Sequence, residues 1–234
     1  MFQRNSLVLL GLIGLAAMGC SKETTSSANI RTGGIAALID VTGTTDTTAR
    51  VHVELKVGGS SSNTYVVLEN GDKLTATVAD ETKTLTATDS GIYDVTFQGV
   101  GADSEFKVDL VRSEGSATNT GTLPAPFTLD EPTTKLSRKD DDLTVSWAPF
   151  DTGDGMSLDF NGTCIFDYSK TVSDTGSYLV KKTTLSSTGG DMPETCDITL
   201  DVDRSRLGTA DAQFDPESYL RTHQSRSVSF TSNP

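Results

Sequence analysis

Carboxylates are the most abundant groups able to do chemistry in this chain. Asp and Glu number 32, against 19 Lys and Arg and two His. Two acidic clusters sit in turn-like stretches: Asp140-Asp141-Asp142, and Asp151, Asp154 and Asp159 around Gly153 and Gly155. Calcium takes roughly six to eight oxygen ligands. Asp151, Asp154 and Asp159 would supply some of these if their loop curls, which makes them the metal candidates. Their spacing misses the EF-hand pattern, so solvated turns are the simpler expectation and no metal is expected. Paired carboxylates for glycoside hydrolysis are defined by separation in space, and nothing in the sequence singles out a pair. The chain has no G-x-S-x-G, no H-E-x-x-H and no G-x-x-x-x-G-K-[ST]. Ser104-Glu-Phe-Lys107 matches S-x-x-K in letters, but that motif needs both residues on one helical face. Here Phe106, Val108 and Leu110 alternate as a strand, which sets Ser104 and Lys107 on opposite faces. His52 and His223 fall in different halves, so a Ser-His-Asp centre would have to bridge them. No catalytic set emerges, and no cofactor is expected.

The amino terminus locates the chain. Arg4 precedes an apolar run, Leu7 to Ala17, too short for the roughly 20 residues of a membrane-spanning helix and fitting a secretory signal peptide. Ala17-Met18-Gly19-Cys20 resembles the bacterial lipobox. The resemblance implies cleavage before Cys20, a diacylglyceryl group (and a further acyl chain such as palmitate) on that cysteine, and stable anchoring through more than one chain. Ser21 rather than Asp after the cysteine implies the outer membrane of a Gram-negative envelope. With Cys20 used for lipid, Cys164 and Cys196 remain, and export permits a disulfide between them. Free thiols or a metal pair are the alternatives. The net charge of −13 disfavours nucleic acid and anionic headgroups as partners.

The remaining elements read as strands. In Arg50-Val-His-Val-Glu-Leu-Lys-Val57, Val51, Val53, Leu55 and Val57 point one way and His52, Glu54 and Lys56 the other. Similar segments fall at Ile35–Thr42, Thr64–Leu68, Lys73–Val78, Lys83–Ala87, Ile92–Phe97 and Ser104–Arg112, with a tight turn expected at Asn70-Gly71. Asp89-Ser-Gly91-Ile-Tyr93-Asp-Val95 resembles the D-x-G-x-Y-x-C stretch of immunoglobulin-like domains, which implies a tyrosine hydroxyl tied back to the backbone. Val95 stands where that family has cysteine. Leu143-Thr-Val-Ser-Trp147-Ala-Pro149 resembles the second strand of fibronectin type III domains, and Pro126 to Pro132 their first. Later strands are read around Met156–Phe160, Thr175–Leu185, Cys196–Val202 and Arg226–Phe230. Arg204 to Tyr219 is a long connection, of a kind often functional.

The expected architecture is all-β, with two tandem immunoglobulin-like antiparallel sandwiches. The divisions are 1–19 signal peptide, 20–34 lipidated cysteine and flexible tether, 35–113 first sandwich, 114–122 linker, and 123–234 fibronectin type III-like sandwich. The expected function is a non-catalytic, lipid-anchored envelope protein that scaffolds or binds another envelope component. The alternative is a surface glycan-binding or adhesion protein, for which Tyr65, Tyr168 and Tyr219 are the candidate exposed rings. A hydrolase with an interdomain site is the remote third.

Overall fold

The computed structural model describes residues 22–113, 115–132, 135–189 and 194–234. The expected signal peptide and Cys20 lie outside them. The first half contributes β1 (Glu23–Ser26), β2 (Ile35–Thr45), β3 (Thr48–Val57), β4 (Thr64–Val67), β5 (Lys73–Val78), β6 (Glu81–Thr84), β7 (Thr86–Asp89), β8 (Ile92–Gln98), β9 (Glu105–Arg112) and β10 (Gly115–Thr122). The second contributes β11 (Thr128–Leu129), β12 (Lys135–Ser137), β13 (Leu143–Ala148), β14 (Gly155–Gly162), β15 (Tyr168–Ser173), β16 (Ser177–Val180), β17 (Cys196–Leu207) and β18 (Tyr219–Asn233). The class is all-β, as the alternating pattern predicts.

One large sheet runs β1-β4-β3-β2-β18-β17-β14-β15, with β8 beside β3, β7 beside β8 and β12 beside β18. A smaller sheet, β10-β9-β5-β6, covers its first half, and a third, β11-β13-β16, belongs to its second half. Period-two alternation produces two cores. Val51, Val53 and Leu55 of β3 share the first with Phe106, Val108 and Leu110 of β9. Phe97 meets Phe106 edge to face at 5.9 Å between centroids. Trp147 and Val145 of β13 share the second core with Leu158 and Phe160 of β14 and Ile198, Leu200 and Val202 of β17.

Several expectations need correction. The pairing is not purely antiparallel: β1 with β4, β12 with β18 and β18 with β2 are parallel. The expected tether is structured from Lys22 onward. β1 pairs with β4, and the fully buried Ser27 is held by Glu69 N and Arg112 Nη2. A polar segment need not bury side chains when backbone pairing satisfies its groups. The expected linker 114–122 is β10 over its described part. Its small residues suit a strand under a close-packed cover: a Cβ on Gly121 would meet Leu220 Cδ2 at 2.3 Å, and buried Asn119 donates to Val108 O and accepts from Asp211 N.

The long connection folds back on the first half. Phe214 enters the first core, Asp215 N donates to Ile35 O, and Ala37 N donates to Ser218 Oγ. Residues 208–224 therefore belong with the first sandwich, although the sequence division assigns all of 123–234 to the second. The expected strand Thr175–Leu185 is strand only over Ser177–Val180, β16, which pairs with β13 in the three-stranded sheet. At Asn70 and Gly71 φ is positive (55° and 88°), as the tight turn demands. Yet β4 and β5 lie in different sheets, so the turn is a corner between layers and not a hairpin.

Candidate functional site

Among the described residues a buried polar cluster stands at the joint between the two cores. It is built where the end of β17 pairs with the first part of β18. Along β17 the inward positions run Ile198, Leu200, Val202, Arg204, so the apolar side of a strand ends in a buried guanidinium. Arg204 Nη1 donates to Ala125 O at 3.0 Å. Its Nη2 donates to Pro149 O at 2.5 Å and to Asp174 Oδ1 at 3.2 Å. The guanidinium also lies 4.9 Å from the Phe127 ring centroid, a favourable cation–aromatic contact.

Asp174 is fully occupied. Oδ1 also accepts Trp147 Nε1–H at 2.7 Å, and Oδ2 accepts from Thr152 N at 3.1 Å and Thr152 Oγ1 at 2.6 Å. Burial pushes its carboxyl up. The bonds from Thr152 and Trp147, with the Arg204 charge, outweigh that and hold it below the ordinary carboxylate range.

A second arginine ties the halves across the surface. Arg206 pairs with Asp154 through Nε and with Asp103 through Nη1 at 2.6 Å, and also reaches Leu123 O. The bonds to Asp154 raise its pKa, burial opposes them, and Asp103 adds to the rise. Thr222 Oγ1 donates to Thr122 O and Gln224 Nε2 to Pro124 O, so residues 122–125 are clamped along their length. Every charged group here is engaged by an opposite charge or a hydrogen bond, which makes the cluster a positioning device.

The metal candidates are not brought together. Asp154 is taken by Arg206, and Asp159 accepts from Ser169 Oγ on the outer face of β14. Asp151 sits at φ 65° with its N–H on Asp174 O. Among the described residues no group of three or more His, Cys, Asp or Glu could hold a metal ion. Of Asp140–Asp142, Asp142 bonds Lys181 and Lys182 N, and Asp141 accepts from Ser137 N. Ser104 Oγ accepts from Gly101 N while Lys107 pairs with Asp109.

Cys164 and Cys196 are joined, with Cα atoms 5.7 Å apart. The candidate rings form no row. Tyr65 lies under Lys22 and Lys56, Tyr168 packs beside Phe160, and Tyr219 OH donates to Asp40. The histidines are closer than their places in the sequence imply, on one outer face with β2 between them. His52 lies opposite Asp40 and His223 opposite Thr42. His52 Nδ1 is 2.9 Å from Asp94, and His223 Nε2 contacts Thr42 Oγ1. Burial pulls His223 below its usual pKa, against the charges of Asp203 and Asp40.

The sequence reading missed Arg204, Arg206 and Asp174. The signal was present: period-two alternation carried past Val202 places Arg204 inward.

No family model and no curated protein matches the chain. Solved structures with a likeness include the chicken CNTN1 FN1–FN3 domains, at 13% identity and TM-score 0.25, covering 87% of this chain and 68% of that one. The Yersinia pseudotuberculosis adhesin InvE is 12% identical at TM-score 0.25, with 84% of this chain and 58% of that one covered. A DUF3823 family protein from Parabacteroides merdae is 9% identical at TM-score 0.23, with 85% and 99% covered. At such scores these likenesses carry no functional argument.

Proposed function

We propose that the chain is a lipid-anchored, non-catalytic envelope protein that acts as a stiff spacer, holding its second sandwich at a set distance from a membrane for another envelope component to engage. The observation that carries this is β18. Its first part, Tyr219 to Gln224, pairs with β2 of the first sandwich, and its last residues pair with β12 and β17 of the second. One strand of 15 residues thus belongs to both halves, and at about 3.3 Å per residue it spans roughly 50 Å. The Arg204 and Arg206 clusters lock the crossing point.

In this reading the lipid would be attached near one end of this axis. Cys20 is two residues from Lys22, within about 7 Å of chain. β1 starts beside Asn63, at the end of the first sandwich where Glu217 accepts from Ser60 and β18 begins. The Cys164–Cys196 bridge lies at the opposite end, where β17 begins beside the end of β18. Among the described residues no helix is long and apolar enough to cross a membrane.

Two measurements test the proposal. Cys20→Ala should release the protein from the membrane fraction, and retention there would remove the anchor. Spin labels at Ser61 and Thr195 should give one narrow long distance. A broad distribution would remove the stiff spacer. Protease treatment of intact and lysed cells then tells which compartment the far end faces.

A further inference from the structure

The two sulfurs of the Cys164–Cys196 bridge stand in unlike surroundings. Cys164 is fully buried, whereas Cys196 is partly exposed at the start of β17. Arg138, only 5% exposed, donates from Nη1 to Cys164 Sγ at 3.2 Å. Its other bonds go to neutral acceptors, Ser232 Oγ at 3.0 Å and the backbone oxygen of Glu194 at 2.7 Å. Cys196 Sγ accepts a backbone N–H, from Cys164 at 3.2 Å. A buried guanidinium therefore touches one sulfur of the bridge, with no carboxylate hydrogen-bonded to it among the described residues. The Glu194 carboxylate acts on the guanidinium by charge without a hydrogen bond, and a thiolate at Cys164 would be the anion in direct contact.

We propose that the bridge is a polarised thiol–disulfide exchange site that takes a small thiol at Cys196. The incoming thiolate bonds to Cys196 Sγ, the S–S bond breaks, and its electron pair leaves on Cys164 Sγ as a thiolate paired with Arg138. The product is a mixed disulfide on Cys196 and an anionic Cys164. No net oxidant or reductant is needed, because one disulfide is exchanged for another. Two factors set the direction. Cys196 is the more exposed of the two residues and so the one a nucleophile reaches first, and the sulfur beside a cation is the better leaving group. Exchange releases Cys164 from the start of β17, while Gly162 stays paired with Ile198. That change lies next to a groove of about 370 Å³ lined by Arg138, Lys139, Thr183, Leu185 and Pro234. The surface at the far end of the spacer would thereby change with the thiol content of its compartment. The exchange chemistry stands whether or not Cys20 carries lipid.

Glutathione is the probe. The folded full chain is treated with it, quenched in acid, alkylated and mapped by mass spectrometry. Glutathione is expected on Cys196 and the alkyl group on Cys164. Glutathione chiefly on Cys164 overturns the proposal, as does a folded chain that forms no adduct while the denatured chain does. Arg138→Met should slow exchange by roughly tenfold and Arg138→Lys much less. Equal rates in wild type and Arg138→Met also overturn it. Should Arg138→Met fail to fold, the position of the wild-type adduct decides.

Discussion

Arg204 and Asp174 form a wholly buried ion pair, Nη2 to Oδ1 at 3.2 Å, with side chains 0% and 2% exposed. It sits where the cores meet and is completed by Trp147, Thr152 and two backbone carbonyls. Removing one partner strands the other. Asp174→Ala should therefore destabilise the chain by about 3–5 kcal/mol, and Asp174→Asn by less, since it keeps the hydrogen-bonding shape. Urea unfolding checks both, and a loss below about 1 kcal/mol for the alanine variant would show that the pair does not organise the joint.

Arg206 is partly exposed and bridges Asp154 to Asp103. Arg206→Ala should cost little stability, about 1 kcal/mol, yet widen the distance distribution between labels at Ser61 and Thr195. An unchanged distribution would assign the stiffness to β18 alone.

Acid should weaken the fold in a defined window. Asp174 lies below the ordinary range because bonds from Thr152 and Trp147 and the Arg204 charge outweigh burial. In Asp94 burial is likewise outweighed by His52, Thr88 and Arg50. Their folded values sit under the unfolded value of about 3.9, so the unfolded chain takes up protons first. The stability they contribute is present above that value and is lost as pH falls through the folded ones. Melting temperature should begin to fall below about pH 6.5, where the unfolded chain protonates His223 before the folded one, and drop further below about pH 4, with a shallower second drop in Asp174→Asn. Thermal scans across this range measure it, and stability increasing below pH 4 would contradict it.

Tyr93 OH accepts Leu68 N–H at 2.8 Å and contacts Val66 O at 3.4 Å. The tie reaches the end of β4, as the immunoglobulin-like resemblance implies in kind. Tyr93→Phe leaves the Leu68 amide without its partner and should cost about 1–2 kcal/mol. Denaturation, with exchange of the Leu68 amide, reads this out. Unchanged protection at Leu68 would mean that another acceptor replaces the hydroxyl.

Replacing both Cys164 and Cys196 by Ser removes a cross-link of sequence separation 32. The chain-entropy model gives a loss of about 3–4 kcal/mol. Thermal melting of the double variant checks it, and a shift under about 2 °C would mean that β14 and β17 alone hold the far end.

Strand identity was legible wherever a residue's fate depends on its own alternation. Val51, Val53 and Leu55 show this, as does Trp147, which is buried where the fibronectin-like resemblance implies. What escaped depends on partners distant in the chain. Ser116 to Thr122 carries too little apolar surface to announce a strand; its partners are β9 and the returning loop at Asp211. Arg204 breaks an apolar run, so its charge hides that the strand continues inward. Asp174 precedes a Gly turn much as Asp89 does. Yet Asp174 is buried by Trp147 and Arg204 while Asp89 faces solvent beside Lys22. Local letters cannot separate the two.

The place of β18 also constrains the order of folding. A strand spanning residues 219–233 sits in the middle of the large sheet, against residues 38–43 from the other end of the chain. Contacts across some 180 positions give a high contact order, and such pairings form slowly. The first sandwich cannot close when its own residues emerge, because Phe214 and Leu220 of its core arrive much later. If the chain is exported as proposed, threading through a channel as an open polymer gains from this delay. Its central strand would then be withheld until residues 1–218 have crossed, and premature collapse on the wrong side would be suppressed by topology alone.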